Sequence, residues 1–282
     1  MISVIVPTRS RYNTLKHTIE AIANQNTQDF ELIISDDNST DETQSLISQY
    51  KDRLKLKYIF NNHKDHGTWN ASIPRNLGAL VADPSTKGYY FVDSDVSLPP
   101  TAVQHVIEDF NLNPNRVIIG PYHWYNKDHD GISQQDIRWP KFEEVTVDQT
   151  FATVHDGLAC FGGNIFFPKD IFWRVGGFSP EIEIGLEDGD MGLKLWKAQT
   201  NFSYDKRLLG AHRWHEIPSD RFPSNMRQHI DNLNLKHFHT TNPDYGIVEA
   251  SRETYASWGV QGWEPPQSWL ENKLDMTLKV NA

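Results

Sequence analysis

The first half of the chain repeats one arrangement: a short apolar run rich in β-branched residues, a polar turn, and then apolar residues at helical spacing. The runs are Ile2 to Pro7, Glu31 to Ser35, Leu56 to Phe60 and Tyr89 to Val92. Strands that recur with helices between them are typical of βαβ units and a parallel sheet. The spacing therefore predicts an α/β fold with a Rossmann-like, mostly parallel central sheet flanked by helices.

The second half of the chain continues these elements less regularly. We expect helices over Thr101 to Phe110 and Leu186 to Lys197, and strands over Arg116 to Gly120 and Asn164 to Phe167. Residues 217–282 are rich in His, Trp, Pro and Asn and show weak periodicity. They predict an irregular C-terminal extension, which docks on the body of the protein or on a second copy in a homodimer.

Composition excludes several classes of protein. The 282 residues carry a net charge of −10, from 27 basic and 37 acidic side chains, and contain no Lys/Arg-rich block. This argues against a nucleic-acid partner. The only cysteine, Cys160, lies in an apolar stretch, so we expect no disulfide framework. No transmembrane segment or leader is expected, which predicts a cytoplasmic protein and leaves peripheral association with the inner membrane open.

Polar clusters follow three of the predicted strands. They are Pro7-Thr8-Arg9, Asp36-Asp37-Asn38 and Asp93-Ser94-Asp95. In open parallel sheets, ligands bind at the carboxyl ends of the strands, where loops meet helix N-termini. All three clusters should therefore face one crevice.

Asp93 and Asp95 are candidate metal ligands. In an extended chain, residues i and i+2 face the same way, so the two carboxylates could hold one hard cation. Mn²⁺ or Mg²⁺ would suit them, with a substrate diphosphate completing the coordination shell. A solvated loop or a helix cap is the alternative. An EF-hand is excluded because Gly and Glu are missing from positions six and twelve in each possible register.

Four segments in order resemble glycosyltransferase family 2, the nucleotide-sugar transferases with the GT-A fold. They are the opening ISVIVPTRSRYNTLKHTIEAIANQNTQDFELIISDDNSTDET, then IPRNLGA, VDSDV, and CFGGNIFFPKDIFWRVGGFSPEIEIGLEDGDMGLKLW. The last is similar to the acceptor-side half of the galactosyl- and polypeptide N-acetylgalactosaminyltransferases. The resemblance implies a nucleotide-sugar-binding half over residues 1–97, an acceptor-binding and catalytic half over 98–216, and the C-terminal extension over 217–282.

The resemblance also implies which residues bind the nucleotide. Pro7, Thr8 and Arg9 would line the nucleoside pocket. Asp37 would accept a hydrogen bond from a uracil-like base. Arg75 of the IPRNLGA segment would lie near the diphosphate or the sugar. The donor that fits these roles is a UDP-sugar.

The metal site implied by the resemblance draws on two parts of the chain. Asp93 would contact ribose or metal, Ser94 would lie at the donor, and Asp95 would bind the metal directly. A histidine after the last core strand would complete the site, with His212 as the first choice and His215 as the second. Two ordinary surface or core histidines are the alternative reading.

Asp188 would be the catalytic base, with Glu187 beside it. A carboxylate on the far side of the sugar removes the proton of the attacking hydroxyl, which inverts the anomeric carbon. A helix dipole at this position would lower the pKa of Asp188, and only burial or the neighbouring charge could counter it. The family's Trp-Gly before the Glu-Asp pair is replaced by Ile184-Gly185-Leu186, which weakens the choice of donor sugar.

The sequence thus predicts a metal-dependent transferase that moves a sugar from a UDP-sugar to a hydroxyl of a carbohydrate or glycoconjugate acceptor. Inversion, and a role in polysaccharide or glycoconjugate biosynthesis, are part of this prediction. A retaining transferase and a non-catalytic nucleotide- or sugar-binding module of the same fold stay open. A nucleotidyltransferase is improbable because no glycine-rich phosphate loop follows the first strand.

Overall fold

The computed structural model describes residues 1–61, 70–124, 149–150, 162–182 and 187–213. The strands are β1 Ile2–Thr8, β2 Phe30–Asp36, β3 Leu56–Phe60, β4 Gly88–Val92, β5 Val96–Ser97, β6 Arg116–Ile119, β7 Tyr122–Trp124, β8 Gln149–Thr150, β9 Asn164–Pro168, β10 Asn201–Tyr204 and β11 Gly210–His212. The α-helices are α1 Tyr12–Ala23, α2 Thr43–Ser48, α3 Ser72–Leu80, α4 Ala102–Leu112, α5 Lys169–Arg174 and α6 Glu187–Lys197, and a 3₁₀ turn spans Lys206–Leu208.

Eight strands form the central sheet in the order β3-β2-β1-β4-β9-β6-β10-β8. The pairs β3/β2, β2/β1, β1/β4 and β6/β10 are parallel, whereas β9 runs antiparallel between β4 and β6. A small second sheet has the order β5-β11-β7. The predicted α/β architecture with a mostly parallel sheet is confirmed.

The apolar strands read as continuous runs because helices cover both faces of the sheet. Val4 and Val6 of β1 face one layer, and Ile5 between them faces the other. The first layer contains α1, α2 and α4 and the second contains α3, α5 and α6. On the second side α3 lies close to β1, since a Cβ on Gly78 would overlap the Ile5 side chain.

Two local predictions were wrong. The spacing of Ser39 and Glu42 in the sequence predicts a capping box ahead of the helix that is α2, but Asp41 Oδ1 accepts the Thr43 N–H at 3.1 Å, while the Ser39 hydroxyl accepts the Ser10 N–H at 2.7 Å. Asp93 to Val96 is also not extended. The Val96 N–H donates to the Asp93 carbonyl at 3.0 Å, which closes a four-residue turn.

The central sheet takes strands from both predicted halves of the domain, four from residues 1–97 and the others from further along the chain. The boundary at residue 97 stays a prediction. Residues 217–282, with the dimer contact expected there, lie outside the described residues. Within the described parts of the chain, every helix is too short or too polar to cross a bilayer.

Candidate active site

The carboxyl ends of β1 and β2 meet in two interlocked loops. The Ser10 N–H bonds the Ser39 hydroxyl, and the Thr40 N–H bonds the Ser10 hydroxyl at 3.1 Å. Ser10 and Asn38 have φ angles of 48° and 62°, in the left-handed region that L-residues seldom adopt. These contacts fix the loop geometry, and the expected crevice is formed on this side by backbone and hydroxyl groups.

The Asp37 carboxylate contacts two other polar side chains, those of Arg9 and Asn61. Arg9 Nη1 is 3.4 Å from Asp37 Oδ2, and Asn61 Nδ2 donates to Oδ1 at 3.1 Å. The Asp37 side chain is 4% exposed, and its N–H donates to the carbonyl of Thr8 at 2.8 Å. Arg9 and Asp37, assigned to nucleotide binding from the resemblance, are thus in direct contact, and Asn61 joins them as a residue that the sequence did not indicate.

Asp36 contacts groups of its own loop and of the neighbouring strand, and its role differs from that of Asp37. Its Oδ1 accepts the Ser39 N–H at 2.8 Å and its Oδ2 accepts the Tyr58 hydroxyl at 2.7 Å. Burial raises the pKa of Asp36, and the bonds from Ser39 and Tyr58 oppose the rise. Asp36 therefore connects β2, its loop and β3, in agreement with a local loop role.

The Asp93–Asp95 segment differs from the arrangement that the sequence predicted. Because these residues lie in a turn, the argument that i and i+2 face the same way does not hold for them. Asp93 Oδ1 is bound by Arg75 Nη2 at 2.9 Å. Asp95 Oδ1 lies 3.4 Å from His212 Nε2. Each carboxylate therefore has a charged or ionisable neighbour of its own.

Strand pairing in the small sheet brings Asp95 and His212 together. His212 pairs with Val96, the residue after Asp95, and the Arg213 N–H donates to the Asp95 carbonyl at 2.7 Å. Both side chains are mostly buried, with 11% and 13% exposed. A carboxylate oxygen and an imidazole nitrogen are ligands that Mn²⁺ accepts, so the pair fits the expected cation.

The pair does not make a complete metal centre by itself. Across residues 1–61, 70–124, 162–182 and 187–213, no group of three His, Cys, Asp or Glu side chains is positioned to hold an ion. Further ligands must therefore come from a substrate, from water or from elsewhere in the chain. His215, the second candidate histidine, lies outside the described residues.

Arg75 lies at the centre of the acidic part of the site. It is 3% exposed, and its Nη1 lies 3.2 Å from Glu187 Oε1 and 3.8 Å from Asp188 Oδ1. With Asp93, three carboxylates surround one guanidinium. Burial by itself would lower the pKa of Arg75, but the carboxylates, Asp93 first, outweigh it and raise the pKa. The cluster keeps a surplus of negative charge.

Glu187 and Asp188 begin α6 and differ in exposure. The Glu187 side chain is 8% exposed and that of Asp188 is 29% exposed. Burial, followed by the charge of Glu187, raises the pKa of the Asp188 carboxyl to about 8, while Arg75 opposes the shift. These are the two influences that the sequence left open. A carboxylate with this pKa is a stronger base than an ordinary aspartate.

Other residues position the site without having been singled out. Asn76 bonds both backbone groups of Phe178, accepting its N–H at 3.0 Å and donating to its carbonyl at 2.8 Å. Gly162 leaves room for the acidic cluster, since a Cβ there would overlap Asp188 Oδ1. Asn76 belongs to the Arg-Asn pair of the IPRNLGA segment, and Gly162 belongs to the Gly-Gly pair that precedes Asn164. These contacts give a physical reason for the residue type at each position.

Asn164 is a further residue that the sequence analysis missed. It is fully buried: its Oδ1 accepts the Tyr90 hydroxyl at 2.7 Å, and its Nδ2 donates to the carbonyls of Leu208 at 2.8 Å and Pro121 at 3.2 Å. These bonds join β4 and β9 to the segments that lead into β7 and β11. An amide at the start of an otherwise apolar strand, after Gly-Gly, was the available signal.

Comparisons with known proteins identify the family. The model of glycosyl transferase family 2 matches residues 3–176. The fold is that of the GT-A glycosyltransferases, and the chain belongs to glycosyl transferase family 2. The class of enzyme and the family expected from the sequence are both confirmed.

Among curated relatives, the chain is 29% identical to a validoxylamine A glucosyltransferase of Streptomyces hygroscopicus subsp. jinggangensis over 297 residues, covering 93% of this chain and 69% of that protein. It is 26% identical to a chondroitin synthase of Escherichia coli, covering 77% of this chain and 35% of that protein. The chain thus spans about two thirds of the first relative and about one third of the second.

Solved structures share the fold at low identity. Staphylococcus aureus TarS 1-349 in complex with UDP-GlcNAc matches with a TM-score of 0.65 and 17% identity, covering 91% of this chain and 78% of that chain. GalNAc-T7 with UDP, GalNAc and Mn²⁺ matches with a TM-score of 0.65 and 14% identity, covering 91% of this chain and 50% of that chain. At these identities the likeness establishes the GT-A fold.

Proposed function

We propose that this protein transfers a sugar from a UDP-sugar to an acceptor hydroxyl, with inversion and with the help of Mn²⁺ or Mg²⁺. The observation that carries the proposal is the gathering of Asp37 with Arg9 and Asn61, the Asp95–His212 pair and the partly exposed carboxylate of Asp188 at one edge of the sheet. The relatives named as a glucosyltransferase and a chondroitin synthase support a role in polysaccharide or glycoconjugate biosynthesis.

The charge of the site supports a bound cation. Asp93, Asp95, Glu187 and Asp188 carry up to four negative charges, and Arg75 offsets one of them. A diphosphate would meet repulsion here without further positive charge. Asp95 and His212 are the residues that would hold a divalent ion, which supplies positive charge to the departing diphosphate.

Asp188 is the residue that we assign as the general base. Its Oδ1 is inaccessible, while the side chain as a whole keeps 29% of its surface exposed. The acceptor's proton would therefore go to Oδ2. Glu187 is less exposed and ion-paired with Arg75 at 3.2 Å, so it supports the base and does not replace it.

The nucleoside would be bound by Asp37 with its neighbours Arg9 and Asn61. A buried carboxylate can accept a hydrogen bond from the N–H of a uracil ring, which a cytosine ring does not offer. Thr8 and Pro7 lie at the end of β1 beside Asp37, and both are buried. Ser94, in the turn between the two aspartates, is 7% exposed and would lie at the donor.

Binding and turnover of the wild type and three variants would test this function. UDP with Mn²⁺ at a hundredfold excess over Kd should stabilise the wild type by about 2.7 kcal/mol. Asp95→Ala should lose that stabilisation. Asp188→Asn should keep it and lose UDP release from UDP-glucose or UDP-GlcNAc. Asp170→Ala, at the exposed start of α5, is the matched control and should behave as the wild type.

Three outcomes would contradict the proposal or part of it. Stabilisation without UDP release from any donor would favour a non-catalytic binding module. An Asp95→Ala enzyme with unchanged affinity for UDP and Mn²⁺ would remove the metal assignment. NMR of the product would show retention at the anomeric carbon if the retaining alternative were correct.

A further inference from the structure

Arg75 contacts both the turn after β4 and the start of α6. Its Nη2 lies 2.9 Å from Asp93 Oδ1, and its Nη1 lies 3.2 Å from Glu187 Oε1. Neither contact is local, because the partners are 18 and 112 residues away along the chain. The two nitrogens belong to one planar group, so the guanidinium fixes the spacing of the two carboxylates.

The orientation of the guanidinium is itself fixed. Its Cζ lies 5.0 Å from the centre of the Phe178 ring. A Cβ on Gly162 would lie 3.0 Å from the same Cζ. Asn76, the next residue of α3, is bonded to both backbone groups of Phe178. The ring and the glycine lie against the guanidinium, and Asn76 holds the backbone of Phe178 in place.

The burial of Arg75 argues against the diphosphate contact that the resemblance implied. The side chain is 3% exposed, and its two terminal nitrogens already bind carboxylates. A phosphate oxygen could reach its remaining N–H donors only if the residues that bury the side chain moved. A diphosphate contact would therefore require these residues to move. A positioning role requires no such movement.

We propose that Arg75 is a positioning residue that aligns the start of α6 with the donor-side turn by binding Asp93 and Glu187 at once. This rests on the glycosyl transfer proposed above. Asp188 Oδ1 is 3.8 Å from Nη1, beyond hydrogen-bond distance, so Arg75 acts on the base through Glu187. A shift of about 1 Å in such an arrangement can cost about a hundredfold in rate.

The first test replaces the guanidinium by a single point charge. Arg75→Lys can bind one of the two carboxylates but cannot span both. We expect kcat for UDP release to fall about a hundredfold, with the Kd for UDP and Mn²⁺ within about threefold of the wild type. Arg116→Lys is the matched control: Arg116 is also buried, pairs with Asp109 at 3.4 Å, and lies at the opposite edge of the sheet. It should leave kcat per folded molecule unchanged.

Two results from this test would overturn the inference. A kcat within threefold of the wild type would mean that the bridge is not needed. Losses of equal size in kcat and in affinity for UDP and Mn²⁺ would mean that Arg75 binds the donor directly.

A double-mutant cycle gives an independent measurement that leaves Arg75 in place. Asp93→Asn and Glu187→Gln each weaken one end of the bridge. At saturating donor and Mn²⁺, the double variant should lose about as much kcat as the worse single variant, because both changes break the same connection. Multiplicative losses would overturn the inference.

The two proposals fail in different ways. If the wild type binds no UDP with Mn²⁺ and releases none from any donor, the glycosyl transfer itself is wrong and the positioning role is overturned with it. If the wild type turns over while the cycle is multiplicative, only the role of Arg75 is wrong.

Discussion

Carboxylates at the two edges of the central sheet have opposite electrostatic surroundings. At the amino edge, Glu31 is fully buried, yet its Oε1 accepts from the Ser3 hydroxyl at 2.7 Å and the Asp83 N–H at 2.6 Å, and its Oε2 pairs with Lys57 at 2.9 Å. At the carboxyl edge, three carboxylates share Arg75. The charge of Glu31 is neutralised at the amino edge, whereas the carboxyl edge keeps a surplus of negative charge.

Strand β2 reaches both edges within seven residues, with Glu31 near its start and Asp36 at its end, and both carboxylates have hydrogen-bond donors of their own. The comparison teaches that burial of a carboxylate is not by itself a sign of function. Glu31 has enough partners to be a structural group, whereas a cluster with surplus charge and a raised pKa is typical of a functional site. Substitutions at the two edges should therefore affect different measured quantities.

The largest expected effect is on turnover at the carboxyl edge. Asp188→Asn removes the base while keeping the shape of the side chain, so kcat should fall by about a thousandfold. The melting temperature should not fall, because the raised pKa of Asp188 shows that its ionisation is unfavourable in the folded protein, and the amide does not ionise. Kinetics of UDP release and a thermal melt of the same sample would check both. A variant that loses stability and activity in parallel would remove the contrast between the edges.

The next effect is on stability at the amino edge. Glu31→Ala leaves the Ser3, Asp83 and Lys57 groups without their carboxylate and should cost about 3 kcal/mol. The turnover per folded molecule should stay that of the wild type. Urea unfolding gives the free energy, and the exposed Glu108→Ala serves as the control. A large fall in kcat for Glu31→Ala would show that the amino edge is coupled to the chemistry.

A pair of glycines sharpens the comparison. A Cβ at Gly162 would overlap Asp188 Oδ1, and a Cβ at Gly88 would overlap the Phe166 ring at the other edge. Gly162→Ala should lower kcat by about a hundredfold through displacement of the base. Gly88→Ala should lower the melting temperature by several degrees and keep kcat per folded molecule. Equal kinetic losses in both variants would contradict this division.

The smallest expected effect is on the pH dependence of stability, measured on the protein without metal. Because the pKa of Asp188 is raised to about 8 in the folded protein, its contribution to stability is present at low pH and is lost as pH rises through that value. The Asp188→Asn variant has no carboxyl group at this position, so it does not lose stability in this way as the pH rises. The variant should therefore gain melting temperature relative to the wild type as the pH rises from 5 to 8, with little further gain up to pH 9. A constant difference across that range would mean that the pKa is not raised.

Much of the fold could be predicted because its signals are local. The run Ile2 to Thr8 is apolar on both faces, and the helix after it repeats Leu15, Ile19 and Ile22 on one side. Such periodicity depends only on neighbouring residues. The positions of Asp37 and Asp93 at one edge also followed, because parallel strands bring their carboxyl ends together, whereas Asp188 was assigned from the family resemblance.

The contacts between those residues could not be predicted, because they depend on tertiary packing. Nothing near Arg75 in sequence indicates that Glu187, 112 residues away, would be its partner. The turn at Asp93 depends on a bond between the Asp93 N–H and the Gly163 carbonyl at 2.9 Å. Asn61 became visible beside Asp37 only because β3 lies next to β2.

Asn164 has a consequence for how such an enzyme could be altered. Two of its three side-chain hydrogen bonds run to the carbonyls of Pro121 and Leu208, in the segments that lead into the small sheet, and β11 of that sheet carries His212. A substitution that removes the carboxamide leaves both carbonyls without this donor. We therefore expect it to disturb the position of the imidazole relative to Asp95.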